Sequence, residues 1–312
     1  MTYSHIHIVL NHFPSIGTVF GLALLIYGLW KKDQHLQVVS FVLFLIIAML
    51  AIPVATTGGA ADMAISERPG VNLAMIELHR DSAITAFTAL MLTGTFAWLA
   101  LWQIRRFRAP SQWTVWTVLG LALITQALMM QTGTLGGEIS HPEIRAADAS
   151  EVAPPPEGQE GWGKTMQEWM NAQWGFPTCE TLHFTGLSLL FGVTLLVNFR
   201  LLGLLNGLTF SSVHRFLPLG IFGFGITMIS GMIMFNSDLP RYAELTAIFI
   251  KMNMTALAGI SVLYVTVFDD TWNLQEGDGT ALRHKVFAVT TTLLWTGVMW
   301  IGRMLPALGS GN

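Results

Sequence analysis

Cys179 is the only cysteine in 312 residues. One sulfur excludes a disulfide within the chain, a Cys-x-x-Cys-His covalent haem attachment, and iron–sulfur or zinc sites held by several thiolates. Charge is scarce as well. Asp, Glu, Lys and Arg together make up 11% of the residues, against about 25% in soluble domains, too few to cover a water-facing surface of this size. The net charge of −3 does not favour nucleic acid as a partner. No short basic head with a small-residue cleavage site precedes the first apolar run, so no removable signal peptide is expected.

Apolar side chains fill the gap at 52%. They fall into eight runs of spanning length: Ile6 to Trp30, Val38 to Thr57, Met75 to Trp102, Trp113 to Leu135, Cys179 to Leu202, Val213 to Phe235, Leu245 to Phe268 and Val286 to Leu305. A bilayer admits only helices or closed barrels, and apolar runs of this length read as helices. The expected fold is an all-α polytopic membrane protein with eight transmembrane helices in two four-helix bundles, residues 1–145 and 176–312. Residues 146–175 form an outer loop between them. Within that loop Trp162, Met166, Trp169, Met170 and Trp174 recur at near-helical spacing, as in a helix lying in the membrane interface.

Histidine is left as the main ligand type. His12, His79 and His183 come out at similar depths in the outer part of the membrane, counting about 1.5 Å of rise per residue. His5, His7 and His141 sit at or just beyond the outer surface. His214 and His284 open cytoplasmic-side helices beside basic residues, where they read as anchors of helix ends, with an inner-face haem between them as the sharper alternative. An imidazole inside a bilayer is a ligand, a proton carrier or a hydrogen-bonded strut. Two of them on separate helices of a bundle match the axial ligation of a non-covalently held haem b. On this reading His12 and His79 hold iron, Arg80 pairs with a propionate, and Glu77, Asp81 and Glu180 accept protons released by a quinol. A faint repeat relates the halves: His12-Phe13, Phe20-Gly21 and Leu24-Leu25 recur as His183-Phe184, Phe191-Gly192 and Leu195-Leu196. The same offset brings His79 within one residue of Lys251, which would make the halves parallel units. Lys251, His7 and His141 are the alternative partners of His183, at a second haem or as charge pairs.

The first half, with His12-Phe13-Pro14, Thr57-Gly58, His79 and Gly136-Gly137-Glu138, resembles a bacterial four-helix membrane family expected to bind haem. Glu180, His183 and Gly186, followed by Arg200-Leu201-Leu202-Gly203 and Lys251, resemble a second bacterial membrane family. The resemblance implies a fusion of two haem-type or quinone-type membrane modules. It departs where a Tyr-x-His-Gly tail is expected and the chain has Ile139-Ser140-His141-Pro142. The expected function is a b-type cytochrome, or the haem-carrying subunit of a respiratory complex, with one or two haem b groups. It would exchange electrons between quinone or quinol in the lipid bilayer and a periplasmic cytochrome c or another subunit. A proton- or ion-coupled transporter or channel using His12, His79, His183 and Lys251, and a non-catalytic assembly subunit, are the alternatives. The apolar lower halves of helices one, three and five disfavour an ion path.

Nine of the sixteen basic residues, including Lys31, Lys32, Arg105 and Arg106, fall in alternate short turns. By the positive-inside tendency these turns are cytoplasmic, and both termini are then periplasmic in a bacterial inner membrane. An impermeant thiol reagent applied to intact cells should therefore label a cysteine introduced at Gly158 and spare one at Gln34; the reverse pattern overturns this orientation.

Overall fold

The computed structural model describes residues 2–66, 72–140, 162–243, 245–267 and 270–308. Its helices are α1 (Tyr3–Leu10), α2 (His12–Trp30), α3 (Gln34–Ser66), α4 (Leu73–Phe107), α5 (Gln112–Ser140), α6 (Trp162–Asn171), α7 (Gly175–Leu202), α8 (Phe210–His214), α9 (Leu217–Ser237), α10 (Leu239–Tyr242), α11 (Thr246–Val267) and α12 (Leu282–Leu308). Counting α1 with α2 and α8 with α9, eight helical stretches are long and apolar enough to cross a membrane. Among the described residues there is no strand, and the chain is an all-α polytopic membrane protein.

The break at Asn11 has a local cause. Pro14 has no N–H to give the carbonyl of Leu10, and its ring crowds that turn; α1 ends at Leu10 and α2 begins at His12. Pro53 is tolerated inside α3, where the Thr57 hydroxyl donates to the Pro53 carbonyl at 2.8 Å.

In the first half α2, α3, α4 and α5 close into a ring, each packed on two neighbours. In the second half α7 packs against α9 and α12, and α12 against α11, but α9 and α11 barely touch. Helices of the first half lie where that contact would be: α9 packs on α4, and α11 on α3. Exchanging the halves, α3 for α9 and α4 for α11, maps this pair of contacts onto itself. Trp98 of α4, fully buried, sits at the seam. Its indole N–H donates to Thr266 Oγ1 of α11 at 3.3 Å, and its ring meets Phe224 of α9 edge-on at 6.0 Å. Tyr3 of α1 reaches across to the second half and stacks on Phe249 of α11, with ring centroids 4.0 Å apart.

The helix ends at Arg200 and His214 carry polar anchors. Arg200, fully buried, directs its guanidinium to the carbonyls of Leu208, Gln275 and Asp278 and to Asn206 Oδ1, so the charge is spread over four acceptors. His214 stacks on Phe210 at 5.4 Å and meets Trp272 edge-on at 4.3 Å, which fits the reading of it as a helix-end anchor.

The tightest crossing joins α7 and α9. A methyl group added at Gly223 would lie 2.5 Å from the Gly186 carbonyl oxygen, and one at Gly186 would lie 2.7 Å from that of Gly223. Backbones this close depend on the missing side chains. Gly223→Ala should destabilise the protein by about 1–3 kcal/mol through overpacking. Gly192→Ala on α7, where nothing stands within 4 Å, should be neutral in the same detergent unfolding measurement.

Candidate functional site

The half-buried polar groups near one end of the bundle follow one pattern. His7 of α1 points its Nδ1 at the Val54 carbonyl of α3, 3.0 Å away. His79 of α4 does the same to Thr132 of α5 at 3.1 Å, and His183 of α7 to Thr227 of α9 at 3.0 Å, with Ser230 Oγ at 3.2 Å. A carbonyl oxygen only accepts, so each ring carries its proton on Nδ1 and keeps a lone pair on Nε2. That is the tautomer an imidazole needs to bind a metal or to accept a proton, and the carbonyl fixes its orientation.

One turn beyond each accepting carbonyl stands a glycine on the same helix. A methyl group at Gly58 would come 2.9 Å from His7 Cε1; at Gly136, 3.0 Å from His79 Cε1; at Gly231, 3.0 Å from His183 Cε1. Any side chain there would push the ring off its carbonyl, so the glycines are what let each imidazole lie against the neighbouring helix. The fourth helix pair repeats the form with a different headgroup. Lys251 of α11 faces Gly302 of α12, where a methyl group would lie 3.3 Å from Nζ.

The four groups form two couples. His7 and His79 lie within electrostatic reach of each other, as do His183 and Lys251. The structure thus brings His7, rather than His12, to His79. His12 is exposed on the outer face of α2 and bonds the Ile8 carbonyl one turn back in its own chain at 3.0 Å. Phe13 and Ile16 beside it are more than half exposed. His183 has Lys251 as its charged neighbour and not His7, while His141 lies outside the described residues. Among the described residues no group of three or more His, Cys, Asp or Glu is arranged to hold a metal ion.

Arg80 pairs with Asp62 of α3 at 3.1 Å, and Asp62 is also within electrostatic reach of His79. Asp81 is buried in α4, whereas Glu77 and Glu180 are exposed. The Arg80–Asp62 pair, anchored next to His79 in the chain, gives that end of the first bundle its fixed charges.

Around the second couple the helices part. A cavity of about 700 Å³ lies among the helices of the second half, with His183, Lys251, Glu180 and Arg303 among its polar lining and Phe191 and Trp295 among its apolar lining. Ile52 of α3 and Phe87 of α4 close it where α9 and α11 fail to meet. Helix α6, the expected interfacial helix, buries Met170 against this space while Trp169 and, just past the helix, Trp174 stay exposed. Sequence reasoning missed the cavity, which arises from the packing between the halves. No known family model matches the chain, and no curated protein or solved structure is significantly similar to it.

Proposed function

We propose that the chain is a membrane-embedded b-type cytochrome, or the haem-carrying subunit of a respiratory complex, whose haem is held between His7 and His79. One observation carries this reading: two imidazoles on separate helices, within electrostatic reach of each other, each with Nδ1–H fixed on a backbone carbonyl and the Nε2 lone pair uncommitted among the described residues. Two such nitrogens are what low-spin haem iron takes from a protein, and the porphyrin itself supplies the remaining four donors. Gly58 and Gly136 hold the ring planes by leaving them room.

A bound haem supplies one-electron redox chemistry. The chain contributes the rest. The carbonyls of Val54 and Thr132 raise the basicity of the ligand nitrogens through the hydrogen bonds they accept. Arg80, paired with Asp62 at 3.1 Å and adjacent to His79 in the chain, would be the side chain to meet a propionate. Electrons would pass between quinol in the bilayer and a periplasmic cytochrome c or a partner subunit, on the side where the couple lies.

Purified full-length protein should show the α and β bands of low-spin b haem when reduced with dithionite. His7→Leu and His79→Leu should each lose the haem or turn it high-spin, while His12→Leu should leave the spectrum unchanged. Wild-type protein without haem bands, or low-spin bands that survive both the His7 and the His79 replacement, overturns the proposal.

A further inference from the structure

The second couple differs from the first in one chemical respect. His183 is set up as His7 and His79 are, but the group opposite it is the amine of Lys251. An imidazole pair offers iron two lone pairs. An imidazole and an ammonium offer an acceptor and a donor, which suits a ligand carrying two oxygens at opposite edges of a ring.

Three further observations bear on what that ligand is. The cavity, at about 700 Å³, falls in the range of roughly 300–1,000 Å³ that holds a small organic molecule. Beside its polar groups, which include Glu180 and Arg303 as well as His183 and Lys251, the lining carries flat and flexible apolar side chains, among them Phe191, Trp295, Met228 and Met252, which stack on a ring and accommodate a chain. On α7 its lining includes Phe176, Glu180, Phe184 and Ser188. These recur every four residues along a membrane-spanning helix and are all exposed, Phe176 by 46% and Phe184 by 53%. Side chains exposed on such a helix face lipid, so the cavity opens sideways into the hydrocarbon and its ligand arrives from the bilayer.

We infer that this cavity binds the headgroup of an isoprenoid quinone, with His183 Nε2 accepting from a quinol hydroxyl, Lys251 Nζ donating to the oxygen across the ring, and the tail leaving past Phe184. The site serves the cytochrome proposed above, but its binding chemistry is independent of the haem couple. Met170 of α6 closes the outer end, so the headgroup is shielded from the periplasm. Glu180, on the same face of α7 one turn before His183, stands at the edge between the cavity and the outer surface.

The test is equilibrium binding of decylubiquinol and decylubiquinone to the purified full chain in detergent. Wild-type protein should bind at micromolar concentration or tighter. Lys251→Met and His183→Gln should each weaken binding tenfold or more. Met299→Trp fills the cavity without removing either polar group and should abolish binding, and a normal His7–His79 haem spectrum checks that each variant is folded. His79→Leu should lose the haem bands and keep the quinone affinity, which separates failure of the quinone site from failure of the haem site. Absence of binding to wild type, equal affinity in wild type and all three cavity variants, or a second haem lost in His183→Gln each overturns the inference.

Discussion

A buried imidazole in a lipid-facing bundle has one N–H that must find an acceptor, and everything at the outer end of this molecule is arranged around that demand. Water is not there to meet it, and the helix carbonyls are already engaged in their own ladders. Each ring meets it with a second bond to a carbonyl of the adjacent antiparallel helix, and the glycine one turn further on makes the approach sterically feasible. Meeting the demand at Nδ1 leaves Nε2 as a lone pair directed away from that helix. A structural requirement of burial thereby produces a chemically competent nitrogen, and it does so three times with the same geometry.

The two halves use the same parts and reach different outcomes because of a single packing difference. In the first, α3 lies directly on α4, and the ring of four helices is closed. In the second, the corresponding α9 and α11 are held apart by α4 and α3 of the first half. Trp98, wedged between Thr266 and Phe224, helps keep them apart. The first half can therefore grip a ligand between close helices, while the second encloses a space of about 700 Å³. Replacement of the second imidazole by Lys251 follows the same division: a long side chain reaches into a wide cavity where a short ring would not.

The eight spans were legible in the sequence, because hydropathy over some twenty residues is a strong signal. The partner of His79 was harder to read. His12 is deeper in the apolar run than His7, and depth alone selects it. The face selects His7: Pro14, Thr18, Gly21, Leu25 and Gly28 are the buried residues of α2, and counting back seven from Pro14 gives His7, while His12 falls between the stripes. The glycine partners also left a trace. Val54 and Gly58, Thr132 and Gly136, Thr227 and Gly231, and Val298 and Gly302 form a β-branched residue followed at the fourth position by glycine near the outer end of each even-numbered span. That signal recurs four times, once per helical hairpin, and is finer than the half-to-half repeat of phenylalanines and leucines. The cavity left no such trace, since it depends on which helices from distant parts of the chain meet.

On the proposed reading, position along the helices limits where electrons go. His7, His79, His183 and Lys251 each lie within about the first three turns of a span that starts on the same side, so both proposed sites sit in one leaflet. Electrons exchanged between them would travel along the plane of the membrane and not across it. The opposite ends are occupied by Arg200 in its cage of carbonyls and by His214 between two aromatic rings. The middle of the bundle between these two levels is built from Leu25, Phe44, Leu90, Trp98 and Ile221, all buried and none of them titratable. A proton released at Glu180 therefore has a short route to the outer surface and an apolar barrier toward the other. On the proposed reading, the protons of an oxidised quinol leave on the periplasmic side because the fold gives them no other direction, and the chain needs no gate to enforce it.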